Sequence, residues 1–196
     1  MRKKLSLLIS VLGMLLVPIS GTPAETSENI FSCGSGPIEV FIFTDYFCPP
    51  CQAIEPYLEN ALTDLHRLGV RVTFVDKPIY ARSPMYSQYF LYAAKAAKSF
   101  DEVLRIRRVL FDIAKTKAVD SERELIQKLK ENNIKLVPME VKPIFDRWAE
   151  LIERFGIKST PICIVKQPGQ KMMIYIGSRK IPEGIDLLLK QLSGVP

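Results

Sequence analysis

The sequence holds a single histidine, His66, among 196 residues, and a single Cys-x-x-Cys. A zinc site needs a full set of nitrogen and sulfur ligands, and neither more histidine nor a second cysteine pair is there to complete one. Cysteine is scarce as well: four in a chain long enough to build its own core, which excludes a disulfide-stapled mini-scaffold. Long apolar runs are almost absent. Residues 5–17 form the main one, and it is short of the roughly 20 residues a membrane span needs. There is no internal repeat and no low-complexity segment. Excess charge is modest too. Of the formal +6, half comes from Arg2, Lys3 and Lys4, so residues 25–196 carry +3. A balance that small speaks against nucleic acid or a membrane surface as a partner. Arg105, Arg107 and Arg108 cluster locally and read as a solvated helix face.

The sequence is otherwise 47% hydrophobic, which suits one globular domain. The basic start, the apolar run and the small residues Ser20-Gly21-Thr22-Pro23-Ala24 have the layout of a secretory signal peptide, 1–24, with an uncleaved membrane anchor as the alternative. A polar Gly/Ser-rich arm follows over 25–36. Residues 38–43 are apolar on both faces, as in a buried central strand. Helical spacing of Ile54, Tyr57, Leu58, Ala61, Leu62 and Leu65 predicts a helix over 50–67, kinked at Pro56. A second strand follows over 70–75. Residues 37–82 are therefore β-α-β, a parallel pair with a crossover helix. Residues 83–156 lack strand patterning and predict four helices. The first is capped by Ser83 with Pro84 behind it, and the third opens on a capping box, Ser121 to Glu124. The fourth, 142–155, carries Phe145, Trp148, Ala149 and Ile152 along one face. Residues 157–196 return to a β-hairpin, 162–165 with 172–176, and a last helix opened by Pro182.

Chemistry concentrates at Cys48-Pro49-Pro50-Cys51, between the first strand and its helix. A helix N-terminus presents unpaired N–H groups and partial positive charge, which favour a thiolate. Free cysteine titrates near about 8.5 and falls to about 3.5–7.5 in such places. Cys48 is therefore the expected nucleophile, exposed and with a lowered pKa. Cys51, one turn inside, is the resolving thiol. The two intervening prolines remove two N–H donors and leave a less stabilised thiolate. Glu55, one turn past Cys51, could take its proton, and Lys77 could pair with Glu55; a plain surface salt bridge is the alternative. Asp45 reads as a near-surface capping or loop residue. Cys163 is a buried apolar filler. Cys33, in the arm, is either bridged to it or a reactive exposed thiol. His66 reads as a surface residue, and Tyr86, Tyr89, Phe90 and Tyr92 as core and groove lining.

The stretch 43–51, Phe-Thr-Asp-Tyr-Phe-Cys-Pro-Pro-Cys, resembles the active-site region of the thioredoxin superfamily, and more narrowly that of the exported DsbA/DsbG-type thiol–disulfide proteins. Pro56 matches that family's kinking proline. Ile157-Lys158-Ser159-Thr160-Pro161 resembles its cis-proline loop, and the helical block at 83–156 resembles its inserted subdomain. The likeness spans nearly all of 30–193. It implies an α/β, thioredoxin-like fold with a central mixed sheet and an inserted helical subdomain. It implies a thiol–disulfide oxidoreductase with Cys48 and Cys51 as the catalytic, redox-active pair and Thr160 and Pro161 binding substrate through backbone groups. Glu55 and Lys77 are supporting candidates. No cofactor and no metal is implied. The implied partners are unfolded or partly folded exported proteins and a membrane redox protein, in the periplasm, with the chain a monomer. The sequence departs from the strongly oxidising members: no histidine lies between the cysteines, and Ile42 stands where many relatives carry a buried acid. Thr160 before the proline is more typical of isomerase and reductase branches. The alternative is a thioredoxin-fold chaperone or copper metallochaperone, for which neither Met85 nor His66 is obviously placed.

Overall fold

The computed structural model describes residues 32–116 and 119–194; the expected signal peptide and the first residues of the arm lie outside them. Among the described residues no helix is long and apolar enough to cross a membrane. Five strands form one mixed sheet: β1 (Ser32–Cys33), β2 (Glu39–Thr44), β3 (Arg71–Asp76), β4 (Ile162–Lys166) and β5 (Met173–Ile176). Their spatial order is β1-β3-β2-β4-β5. β2 and β3 are parallel, with Val40 opposite Val72 and Thr44 opposite Asp76. The other pairings are antiparallel. The parallel pair is joined by α1 (Pro49–Arg67), the crossover its connectivity requires. Ser32 and Cys33 of the expected arm thus form a short edge strand, a pairing that two residues of sequence carry too little periodicity to reveal.

β2 is buried along its length after Glu39, because both faces are covered. Phe41 and Phe43 meet Phe155 with ring centroids 5.2 and 6.1 Å apart. Phe155 follows α5 (Lys142–Arg154), so α5 covers that face. Ile42, Cys163 and Tyr175 stand opposite one another across the ladder and share the other face. There the Tyr175 ring lies against Gly184, where a Cβ would sit 2.4 Å from it. Gly184 belongs to α6 (Gly177–Ser193), and α6 is tied to α1 by the Tyr57 hydroxyl donating to Asp186 at 2.6 Å.

The helical block comprises α2 (Ser83–Ala96), α3 (Phe100–Thr116), α4 (Glu122–Glu131) and α5. It docks on the sheet domain through α3 against α1. The Ser121–Glu124 capping box is present in both directions. Three details differ from the sequence reading. Ser83 is the first residue of α2 rather than its cap, and its hydroxyl accepts from the Tyr80 N–H upstream at 3.3 Å. The buried face of α5 is Ile144, Trp148 and Leu151, with Ala149 outward, one step round from the expected stripe. α6 opens at Gly177, whose φ of 85° turns the chain straight out of β5, so Pro182 falls inside the helix instead of starting it.

Candidate active site

Cys48 is the N-cap of α1, with Pro49 and Pro50 filling the first helical positions. The Cys48 N–H donates to the Asp45 carbonyl at 3.2 Å, and the Cys48 carbonyl accepts the first helical bond, from Gln52 N–H at 3.0 Å. The prolines have no N–H to offer, so the helix start presents fewer donors to the Cys48 sulfur than an ordinary N-terminus. Across from it, the Thr160–Pro161 bond is cis, as the resemblance implied. The Cys48 thiol donates to the Thr160 carbonyl at 3.5 Å. That contact leaves Cys48 only 6% exposed, where the sequence reading expected an open thiol; the cis-proline loop covers it. Gly177 N–H donates to the Pro161 carbonyl at 2.9 Å, which anchors the loop to the start of α6.

Cys51 lies one turn inward and is fully buried. Burial pushes its thiol well above the ordinary range, and the neighbouring Cys48 adds to that. All four cysteines carry free thiols. Cys163 is fully buried, as expected, and burial holds its thiol up near about 12. Cys33 is half-buried, with its thiol pushed up to about 11 by burial, so it is not the open reactive thiol of the sequence reading. Nor does it face Cys163. Cys33 is in β1 and Cys163 in β4, with β3 and β2 between. Three strand spacings are about 14 Å, twice the roughly 7 Å a disulfide spans between Cα atoms.

Asp45 is 1% exposed, not near the surface. Its Oδ1 accepts from Phe47 N–H at 2.8 Å and its Oδ2 from Ile79 N–H at 2.7 Å. Phe47, beside Cys48, packs edge-on against Tyr86 at 4.8 Å. The Arg82 guanidinium lies over the Phe47 ring at 4.8 Å and pairs with Asp120, linking the approach to α4 with the loop before the cysteines. Tyr86, Tyr89 and Phe90 are buried, as expected.

Glu55 is buried, one turn beyond Cys51. Its partner is Arg107 of α3, not Lys77: both carboxylate oxygens accept from the guanidinium at 2.9 Å. Lys77 contributes only its backbone N–H, to the Thr44 carbonyl at 2.8 Å. Arg107 is fully buried, so the solvated-face reading of the arginine cluster fails for it. It also donates to the Thr44 hydroxyl at 3.2 Å and stands 3.9 Å from Asp76. Asp76 is buried among Tyr46, Ser87 and Arg107, and desolvation raises its carboxyl to about 6 against the pull of the guanidinium. Sequence reasoning missed Arg107 and Asp76. A signal existed for the first: Val103, Arg107, Leu110 and Ala114 follow one buried helical stripe. Asp76 simply ends an apolar strand. The His66 ring packs tilted against Phe100, centroids 4.3 Å apart, at the far end of α1 from the cysteines.

A cleft of about 340 Å³ lies among Arg71, Arg147, Arg154 and Lys166 at the other end of β2.

No protein-family model matches the sequence, and no curated protein matches it. Solved structures do match in fold. A putative protein-disulfide isomerase from Pseudomonas syringae superposes with a TM-score of 0.63 at 14% identity, covering 85% of this chain and 99% of that one. The catalytic domain of Proteus mirabilis ScsC gives 0.61 at 22% identity, covering 83% and 88%. α-DsbA1 from Wolbachia pipientis gives 0.61 at 14% identity, covering 83% and 92%. The chain has the fold of these DsbA-like thiol–disulfide exchange proteins, a thioredoxin-type mixed sheet with an inserted helical block.

Proposed function

We propose that the protein is an exported thiol–disulfide oxidoreductase that exchanges disulfides with extended segments of other proteins through Cys48 and Cys51. The observation that carries this reading is the placement of the Cys48 sulfur at the N-cap of α1 against the Thr160 carbonyl, with Cys51 one turn inside. In the reducing direction the Cys48 thiolate attacks a substrate disulfide. One substrate sulfur leaves as a thiolate and takes up a proton, and the other is held in a mixed disulfide. Cys51 then loses its proton and attacks the Cys48 sulfur. The second substrate thiolate is released, and the Cys48–Cys51 disulfide remains. The enzyme pair gives up two electrons and the substrate disulfide gains them; the oxidising direction is the reverse. Thr160 and Pro161 present backbone groups to an extended chain, a sequence-tolerant mode that suits unfolded or partly folded exported proteins. Recharging falls to a membrane redox partner. The expected signal peptide places this chemistry in the periplasm, the chain acting as a monomer without a cofactor.

The deciding experiment equilibrates the protein in glutathione buffers and measures the fraction of Cys48–Cys51 disulfide by mass after acid quenching and alkylation. A reversible couple supports the reading. A potential near about −120 mV assigns an oxidase and one near about −270 mV a reductase. A protein whose cysteines never equilibrate with glutathione would refute it.

A further inference from the structure

At the end of β2 far from Cys48, the sheet and α5 enclose a cleft of about 340 Å³, within the range of small-ligand sites, roughly 300–1,000 Å³. Its lining holds four cations, Arg71, Arg147, Arg154 and Lys166, against one carboxylate, Glu39. That surplus of three positive charges equals the whole excess of residues 25–196, so the remainder of those residues is balanced. The sheet side is held in place by Glu39. It stands in register with Arg71 on one neighbouring strand and Lys166 on the other, and its two oxygens accept from both. One carboxylate shared by two cations leaves each only partly neutralised and fixes the position of both. The other wall is α5, where Arg147 and Arg154 lie two turns apart, about 10 Å, with Leu151 between them. Arg147 pairs with Glu150, which is exposed and does not line the cleft. Arg154 lies over the Phe155 ring at 5.7 Å, and among the described residues no carboxylate pairs with it. Phe41, Leu151 and Phe155 supply apolar surface between the charges.

We propose that this cleft binds a small organic anion with at least two negative charges, a phosphate monoester or a polycarboxylate, whose carbon body rests on Phe41, Leu151 and Phe155. This goes beyond the thiol–disulfide reading and does not depend on it: the length of β2, about 17 Å, separates the cleft from the Cys48 end of the sheet. Guanidinium groups match the paired oxygens of phosphate and carboxylate. A concave site lined by one sign of charge also focuses the field that a small anion feels. The apolar surface separates an organic anion from inorganic phosphate, which has nothing to place on it. The C-terminal end of α5 carries partial negative charge and opposes an anion, so recognition falls to the side chains and not to the helix.

The experiment titrates the full chain by calorimetry with phenyl phosphate, citrate, inorganic phosphate and uncharged benzyl alcohol, at neutral pH and about 0.15 M ionic strength. The same titrations are run on Arg154→Ala and on Lys130→Ala, which removes an exposed cation from the distant α4. The expected result is saturable binding of phenyl phosphate or citrate at one site per chain, at least tenfold tighter than inorganic phosphate, with no binding of benzyl alcohol. Arg154→Ala weakens it about tenfold, the worth of one charge-assisted hydrogen bond, and Lys130→Ala leaves it unchanged. Whichever of phenyl phosphate and citrate binds more tightly identifies the phosphate or the carboxylate source. Amide NMR shifts of the unsubstituted protein locate the site without any substitution: they should move in 32–35, 71–73 and 147–155. Anion binding that does not saturate, that falls equally in Lys130→Ala, or that moves amides elsewhere would overturn the proposal, as would no binding at all.

Discussion

Cys51 and Glu55 stand one turn apart on α1, both sealed from water, and they are hosted in opposite ways. Around Cys51 burial dominates and raises its thiol, with the Cys48 thiol beside it. Around Glu55 there is a complete counter-charge, a guanidinium bonded to both oxygens and stacked over Phe74 at 4.2 Å. On the proposed thiol–disulfide reading Cys51 must lose and regain a proton, and a strong cation beside it would fix one state. A pair that only joins the helical block to the sheet domain can be strong. Distance along the helix is therefore a poor guide to which buried acid acts in the chemistry.

The largest expected effect is at the sulfurs. Cys48→Ala abolishes exchange with glutathione and with a reduced, unfolded substrate. Cys51→Ala retains the first attack but accumulates the mixed disulfide, visible by mass. A Cys51→Ala protein that turns over at the normal rate would erase the distinction between the two positions. Next comes Arg107→Met, which strands Glu55 and Asp76 in the interior. It should lower stability by about 3–5 kcal/mol in urea unfolding. The double variant Glu55→Leu/Arg107→Met should recover the part of that loss that comes from Glu55, since buried pairs are often replaceable by apolar groups of similar volume. If the double variant also exchanges disulfides normally, the charge pair is structural and the contrast with Cys51 is sharpened; a large fall in exchange would break it.

A smaller effect lies at Asp76. Its carboxyl holds a proton more tightly folded, near about 6, than unfolded, near about 3.9. Burying it as a carboxylate therefore costs stability above pH 6. That cost, on the order of 2–3 kcal/mol at pH 8, is relieved as pH falls from 7 towards 4. The urea midpoint of Asp76→Asn should lack this component, and comparing both proteins at pH 8 and pH 5 measures it. The smallest effect is remote from both sites: Ser121→Ala removes the hydroxyl that caps α4 and should cost about 1 kcal/mol, with exchange unchanged. A loss of activity there would extend the reactive region into the helical block.

The parts of this architecture written in local pattern were readable from the chain alone. Alternation and helical spacing marked β2, α1, β3, the hairpin and the helical block within a few residues. Pairs of residues distant in sequence were not readable. Cys-x-x-Cys is a local motif and marks its own site, but the partner of Glu55 lies 52 residues away on another helix. Lys77 suits the pairing by pattern alone because it ends the neighbouring strand. Asp45 was misjudged because a short polar residue before a helix usually caps it at the surface. Here the cap position belongs to Cys48, and the carboxylate turns inward to two backbone donors.

The ladder that keeps Cys33 and Cys163 three strands apart has a thermodynamic consequence. It removes a staple between the edge and the middle of the sheet, whose opening would otherwise be mixed into every redox measurement. The difference in unfolding free energy between the oxidised and reduced forms then belongs to the Cys48–Cys51 bond alone. Through a closed cycle with the unfolded chain, that difference is the shift of the reduction potential from that of the same cysteine pair unfolded, at about 30 mV for each 1.4 kcal/mol. Two urea curves, one with reductant and one without, would read how strongly this fold pulls electrons.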